Sequence, residues 1–491
     1  MKEIINPSKE YIRSLHEKSK DLTTEQLMSE IQSLTDKRIS EIRNTKTDVE
    51  VKGTAYYVAN EGSDDNDGKS PETAWQTPER VTLARRNEEL VKGDVVFFKR
   101  GQLFRGYIET ANGVTYSAFG EGEKPRVYGF PKNVADPALW IETDVPNVWQ
   151  YAEICDLDIG SIVFYEKTYA RKIYRSLEDD GTQLDSGSDY KPVFNDYHDL
   201  REDLTFWHDW KREGDFTGKL YLRCNAGNPG KVYDDIEFSK RESVFRNLGS
   251  YDVTIDNIHI AHGCFGVSGL CHNQTIQNCE FSWIGGNVQV DARKLTTERT
   301  FPTPYGNGIE IYGEAQNFTV DNCYFWQIYD AAMTHQCGNS AHPIHNRNVN
   351  YINNVCEYCV YSVEIFYGES PIENRSNYGC NVENNILRLG GGFGHDSRPD
   401  KGVTALIRNG RMILNTKDYV VRNNIFDRSR GKLIQAGNDG ASKAQYYDNL
   451  YVQTKGSKFC TRLGKDYIAT KNVKAELEET ATEHGAEIRI I

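Results

Sequence analysis

The chain is expected to be all-β, wound as a right-handed parallel β-helix, a solenoid of short stacked strands. Two observations carry this. One short pattern recurs six times between Val253 and Val452: Thr254-Ile255-Asp256-Asn257-Ile258, Thr275-Ile276-Gln277-Asn278-Cys279, Thr319-Val320-Asp321-Asn322-Cys323, Tyr351-Ile352-Asn353-Asn354-Val355, Val382-Glu383-Asn384-Asn385-Ile386 and Val421-Arg422-Asn423-Asn424-Ile425. It ends a strand at a turn where Asn adopts a left-handed backbone, so equivalent asparagines can stack from coil to coil in a hydrogen-bonded ladder. Apolar residues on either side of each Asn point inward. The second observation is that only 38% of 491 residues are hydrophobic, which suits an elongated repeat with polar turns better than one large sphere.

The elements follow in chain order. Residues 1–50 form a helical extension, with Leu15, Leu22, Leu27, Ile31, Leu34, Ile39 and Ile42 at helical spacing and a cap at Thr23-Thr24-Glu25-Gln26. It can pack on the solenoid or engage a second subunit or a partner. The β-helix spans 51–455. It opens with Tyr56-Tyr57-Val58, the loop Gly62-Ser63-Asp64-Asp65-Asn66-Asp67-Gly68, and then Ser70-Pro71-Glu72-Thr73-Ala74-Trp75. The acidic loop fits a tight Asx-rich turn or a structural calcium site; no other cofactor is expected. Short apolar strands around 93–98 and 113–118 begin the coils. Weaker regularity over about 140–238, with Phe206-Trp207-His208-Asp209 and Leu220-Tyr221-Leu222, marks an insertion or side sheet, and 456–491 form a C-terminal cap.

Eleven cysteines, some at matching repeat positions such as Cys279 and Cys323, lack zinc-ligand spacing and are expected to be buried thiols. No zinc site, phosphate-cradling loop or serine-hydrolase elbow is apparent. A net charge of −13 argues against non-specific nucleic-acid binding. No apolar run follows Met1 or spans a membrane's thickness, so the expectation is a cytoplasmic protein without membrane contact. Aromatics reach 11%; most belong to the core, and the remainder suit sugar faces.

Tyr57-Val58, the Gly62–Gly68 loop and Ser70–Trp75 resemble the opening of bacterial right-handed β-helix proteins that include glycoside hydrolases and polysaccharide lyases. Gly306-Asn307-Gly308-Ile309-Glu310, Tyr329-Asp330-Ala331-Ala332-Met333-Thr334-His335-Gln336 and Arg398-Pro399-Asp400 resemble motifs of a gut-bacterial group of such proteins. The resemblance covers roughly Thr54 to Val452 and implies carbohydrate-active chemistry without fixing the sugar.

Aligning the coils on their asparagines makes Asn307–Glu310, Asp330–Met333 and Tyr361–Glu364 equivalent strands. Glu310 and Glu364 then share a column two coils apart, with Asp330 on the same face of the intervening coil. Glycoside hydrolysis needs a protonated carboxylic acid and a second carboxylate as nucleophile or base, and clustered carboxylates raise one another's pKa. Asp330 and Glu364 are therefore the expected catalytic pair, with Glu310 third. His335, Gln336, His395, Asp396, Arg398 and Asp400 are candidates to line a substrate groove, and Trp283 and Tyr312 to stack against sugar rings. The leading expectation is a glycoside hydrolase acting on an oligosaccharide. A polysaccharide lyase acting on a uronate glycan, which would use Arg398 and Lys401, and a non-catalytic glycan-binding or assembly protein are the alternatives.

Overall fold

The computed structural model describes residues 7–174, 194, 196–210, 216–290, 303–337, 343–367, 375–398, 404–410, 416–436, 444–480 and 482–491. The architecture is mostly β, and its main pairings run parallel. A ten-stranded sheet is built from strands such as Arg126–Tyr128, His259–Ala261, Glu280–Ile284, Tyr324–Ile328, Val355–Glu357 and Ile386–Gly390, each parallel to its predecessor. We term it row C. Two further rows belong to a larger, mixed sheet. Row A includes Ala331–Cys337, Tyr361–Tyr367, Ala405–Gly410 and Lys432–Ala436; row B includes Ile344–Ile352, Arg375–Glu383 and Thr416–Arg422. The chain visits C, A and B in turn, and each visit pairs with the one before it.

Period-two alternation on row A explains what is inside. Phe245, Val267, Ile309, Met333, Val363, Ile407, Ile434 and Cys460 are in register down one column and are all fully or almost fully buried. The asparagine turns carry two ladders rather than one. The first Asn of each copy is left-handed, with φ of 59°, 54°, 54°, 61°, 58° and 52° at Asn257, Asn278, Asn322, Asn353, Asn384 and Asn423. The residue after it points inward. There Asn354, Asn385, Asn424 and Asn449 pass side-chain amide bonds of 3.1, 3.0 and 3.0 Å from one turn to the next. In earlier coils that interior position holds Cys279 and Cys323, which sit buried among backbone groups as thiols. The nine cysteines whose side chains are described are free and buried.

The helical extension lies along the side of row C. α1 (Pro7–Lys18) and α2 (Thr24–Arg43) place Ile12, Leu15, Leu27, Ile31 and Ile42 over Tyr324, Val355, Ile386, Ile425, Leu450 and Val452. Thr23 caps α2 through a reciprocal box with Gln26. Arg38 donates to the Oδ1 of Asn322 at 2.5 Å, so the helix also reads the outer Asn ladder. The apolar faces of both helices are thus occupied within this chain.

Strands Trp140–Glu142, Val148–Tyr151, Ile159–Phe164, Thr168–Lys172, Thr205–His208 and Leu220–Arg223 pair largely antiparallel and bury a cluster of their own around Trp140, Tyr151, Phe206 and Phe238. Buried Asp158 receives Lys172 at 2.8 Å and the backbone N–H of Val288 at 2.6 Å, which fastens this side sheet to the coils. After 456 the chain returns to all three rows, with a helix over Val473–Glu478 set between them. In the acidic loop, Asp64 accepts from the backbone of Gln76 and Thr77 at 2.8 and 3.0 Å, and Asp67 from Thr73 Oγ1 at 2.7 Å. These are the bonds of a tight Asx-rich turn. No helix among the described residues is long and apolar enough to cross a membrane.

Candidate active site

The outward column of row A next to the buried one reads Ser268, Glu310, Thr334, Glu364, Arg408, Gln435 in strict register. Glu310 and Glu364 do share a column two strands apart, as expected, but the residue between them is Thr334. Alignment on asparagines had matched Met333 to that column; Met333 is instead interior, paired with Ile309 and Val363. The slip is one residue, and in a strand one residue exchanges inside for outside. Asp330 lies just ahead of the same middle strand, four residues before Thr334.

Three carboxylates are nonetheless gathered. The guanidinium of Arg398 donates to Asp330 Oδ1 at 2.8 Å, and that of Arg408 to Glu364 Oε1 at 2.8 Å. Glu310 has no guanidinium of its own among the described residues. Its Oε2 accepts two neutral amides, Asn307 Nδ2 at 2.5 Å and Gln336 Nε2 at 3.0 Å. Asn307 is itself locked, because its Oδ1 accepts the backbone N–H of Ala331 at 2.8 Å.

The electrostatics follow from these partners. Burial, reinforced by the charges of Asp330 and Glu364 and opposed by the Asn307 amide, pushes Glu310 up to about 8. Burial also raises Glu364, to about 7, with the Arg408 charge pulling it back and Asp330 pushing it further up. One carboxyl is therefore held neutral near pH 7 beside two that face guanidinium groups. That separation of roles is what acid–base work on one bond requires.

The other expected site residues divide by where their side chains point. Gln336 and Arg398 are in the cluster. Tyr312, in register with Gln336 and 50% exposed, stands beside it on the open face. His395 is partly buried, with Nδ1 2.8 Å from Thr404 Oγ1, in the short helix Gly392–Ser397 that delivers Arg398. Three expectations are corrected. His335 points into the interior, fully buried, with Nδ1 2.9 Å from the Tyr351 hydroxyl, and burial pushes it down to about 4. Trp283 is fully buried against Val163, Tyr329 and Phe393, so its faces are spent on packing. Asp396 is occupied by Tyr169 and Arg430 and ties the short helix to the side sheet. Asp400 and Lys401 lie outside the described residues.

Four residues went unassigned by sequence reasoning: Asn307, Thr334, Tyr361 and Arg408. Arg408 follows Glu364 in register on the next strand of row A. Tyr361 accepts from the same Arg408 group at 3.1 Å. Thr334 is buried between the two glutamates, and its hydroxyl has no partner among the described residues. A wall of the site comes from the side sheet, since Arg398 lies 5.7 Å from the Tyr329 ring and the Tyr329 hydroxyl is 2.8 Å from that of Tyr174.

No family model matches the chain, and no curated protein matches it. Several solved structures are similar at low identity. A lacto-N-biosidase of glycoside hydrolase family 136 from Eubacterium ramulus matches with a TM-score of 0.46 and 14% identity, over 89% of this chain and 61% of that one. This chain thus spans less than two thirds of that protein. A structure described as a glycoside hydrolase gives 0.48 and 10%, covering 89% of this chain and 96% of that one. XylC, solved with xylose, gives 0.40 and 13%, covering 89% and 83%. The solved structures this chain is similar to are carbohydrate-active proteins.

Proposed function

We propose that the chain is a right-handed parallel β-helix that hydrolyses glycosidic bonds, with Glu310, Glu364 and Asp330 as its catalytic carboxylates on the outer face of row A. The observation that carries this reading is the unequal partnering of the three. Glu310 is bonded by neutral amides and Glu364 and Asp330 by guanidinium groups. A carboxyl in a buried site without a cation stays protonated, and one on a cation ionises more readily.

Glu310 is accordingly the proton donor to the leaving oxygen. Both amides bond Oε2, which leaves Oε1 to carry the proton. Glu364 is the carboxylate that acts on the opposite side of the anomeric carbon, and Asp330 adds the charge that keeps Glu310 neutral. Two strand spacings place the backbones of Glu310 and Glu364 roughly 9–10 Å apart, with parallel side chains. That favours activation of a water and inversion at the anomeric carbon, which needs about 6.5–9.5 Å between carboxyl groups, over direct attack at about 5 Å. In the balanced step, water adds to the anomeric carbon while its proton passes to Glu364, the glycosidic C–O bond breaks, and the leaving oxygen takes the proton of Glu310.

The side-chain pairing also bears on the lyase alternative. Arg398 and Arg408 already face carboxylates of this chain, which suits a neutral sugar better than a uronate at the cleavage point. The test is a panel of aryl glycosides and neutral oligosaccharides with wild type and Glu310→Gln. Turnover of at least one substrate, with the first-formed anomer inverted by proton NMR and kcat reduced ~100-fold or more in Glu310→Gln, supports the reading. An unsaturated product absorbing in the ultraviolet, or turnover indifferent to Glu310→Gln, overturns it.

A further inference from the structure

The outer face of row C changes character along its length. Under α1 and α2 its first outward column is Tyr324, Val355, Ile386, Ile425 and Leu450, apolar and covered. α2 stops at Arg43. Beyond that point the same column reads Glu280, His259 and Arg126, and the column beside it Trp326, Ser282, Ala261 and Tyr128. A cavity of about 880 Å³ opens over this polar and aromatic floor, walled by the end of α2, by Gly122–Lys124, and by Glu166 from the side sheet. Its size is that of a pocket for a small organic ligand, and it lies on a different sheet from the carboxylates of row A.

The charges in it are not evenly matched. Three of its carboxylates have partners: Glu280 takes Arg43 at 2.5 Å, Glu357 takes Arg388 at 3.2 Å, and the partly exposed Glu166 takes the His262 ring at 2.5 Å. Asp36 and Glu123 stand on the exposed rim. Two cations have no such match. Lys124, 4% exposed, donates to the neutral Oδ1 of Asn257 at 2.7 Å and makes no ion pair among the described residues. Arg126, half-buried, lies 6.0 Å from the centre of the Tyr128 ring and likewise makes no ion pair among the described residues. A buried ammonium without a carboxylate is costly; burial holds Lys124 down at about 8.

We propose that this cavity binds a sugar ring carrying one anionic substituent, a carboxylate or a sulfate, with the anion on Lys124 and Arg126 and the ring extending over the floor towards the partly exposed Trp326. A partly exposed indole near a charge clamp suits a pyranose, whose CH face packs on an aromatic and whose hydroxyls meet the bordering acceptors. The site is separate from the hydrolytic reading and stands or falls without it.

The experiment uses the full chain carrying Glu364→Gln, so that turnover on row A does not intrude, and titrates methyl β-D-glucuronide, methyl β-D-glucoside 6-sulfate and methyl β-D-glucoside by calorimetry and saturation-transfer NMR. Saturable binding of the glucuronide or the sulfate, roughly tenfold tighter than the neutral glucoside and weakened roughly tenfold by Lys124→Met and by Arg126→Met, is the expected result. Which of the two anionic probes saturates first identifies the substituent. The proposal is overturned if neither anionic probe saturates, if the neutral glucoside binds equally well, or if both variants bind like the parent. Should Lys124→Met fail to fold by circular dichroism, Arg126→Met alone decides.

Discussion

Replacing Arg408 by Met gives the sharpest test of the division of labour on row A. The guanidinium lies 2.8 Å from Glu364 Oε1 and stabilises its ionised form. At an effective dielectric near 20, two unit charges about 4 Å apart interact by about 4 kcal/mol, or ~3 pKa units at 1.36 kcal/mol each. The Arg408 side chain is 26% exposed, and Glu364 only 6%, so solvent screens part of this and roughly one to two units is the realistic loss. Removing a cation raises a carboxyl pKa, so Glu364 moves upward from about 7. On the proposed mechanism, activity needs Glu364 ionised and Glu310 protonated, which gives a narrow bell with limbs near 7 and near 8. In Arg408→Met the acidic limb climbs to meet or pass the basic one. kcat/KM at pH 6.5 then falls at least ~10-fold, and the height of the bell falls with it. The assay is kcat/KM against pH from 5 to 10 on a substrate from the panel, which reports the free enzyme. An unmoved acidic limb, or a shift confined to the basic limb, refutes the assignment of Glu364 as the ionised partner.

Other expectations are simpler. Asn385→Ala takes from the Asn354 backbone N–H and side-chain amide the acceptor they reach at 2.8 and 3.1 Å in the interior; at about 1–3 kcal/mol each the loss is ~2–5 kcal/mol in urea unfolding. Its neighbour Asn384→Gly, at a left-handed φ of 58° under α1, loses one amide bond from Asn423 at 2.8 Å and should cost about 1 kcal/mol, because glycine takes that backbone freely; equal effects would refute the two-ladder picture. Asp158→Ala strands Lys172, which is 3% exposed, without its carboxylate, so a loss of about 3–5 kcal/mol in the same experiment is expected. Neutral His335 has its pKa depressed from 6.5 to about 4. A depressed histidine adds stability above its unfolded pKa and loses it as the pH falls from about 6.5 towards 4; His335→Gln should flatten that part of the stability–pH curve, and an unchanged slope would place the titration elsewhere.

What the sequence conveyed and what it withheld both come down to the period of a strand. Parallel pairing of successive copies was readable because the Asn turn repeats at a point where few residues tolerate a left-handed backbone, so each Asn marks a fixed place in the coil. The same marker is poor for side-chain direction on row A, because the number of residues between an Asn turn and the next row A strand varies from coil to coil. Asn322 precedes Thr334 by twelve residues and Asn353 precedes Glu364 by eleven, which is the one-residue slip that put Met333 where Thr334 belongs. Alternation within a single strand is safer. If Asp330 and Gln336 face outward, the odd-numbered His335 between them must face inward, a deduction open to the sequence alone and confirmed by its burial. The charge partners were out of reach for a different reason. Arg398 reaches Asp330 from a helix that follows row C, 68 residues on, and Arg408 reaches Glu364 from the next coil, 44 residues on. Neither separation is a local pattern. Which carboxyl is neutral therefore depends on the pairing of sequence-distant strands rather than on any motif, so an inserted or deleted residue between Glu364 and Arg408 should disturb the pH profile before it disturbs the fold.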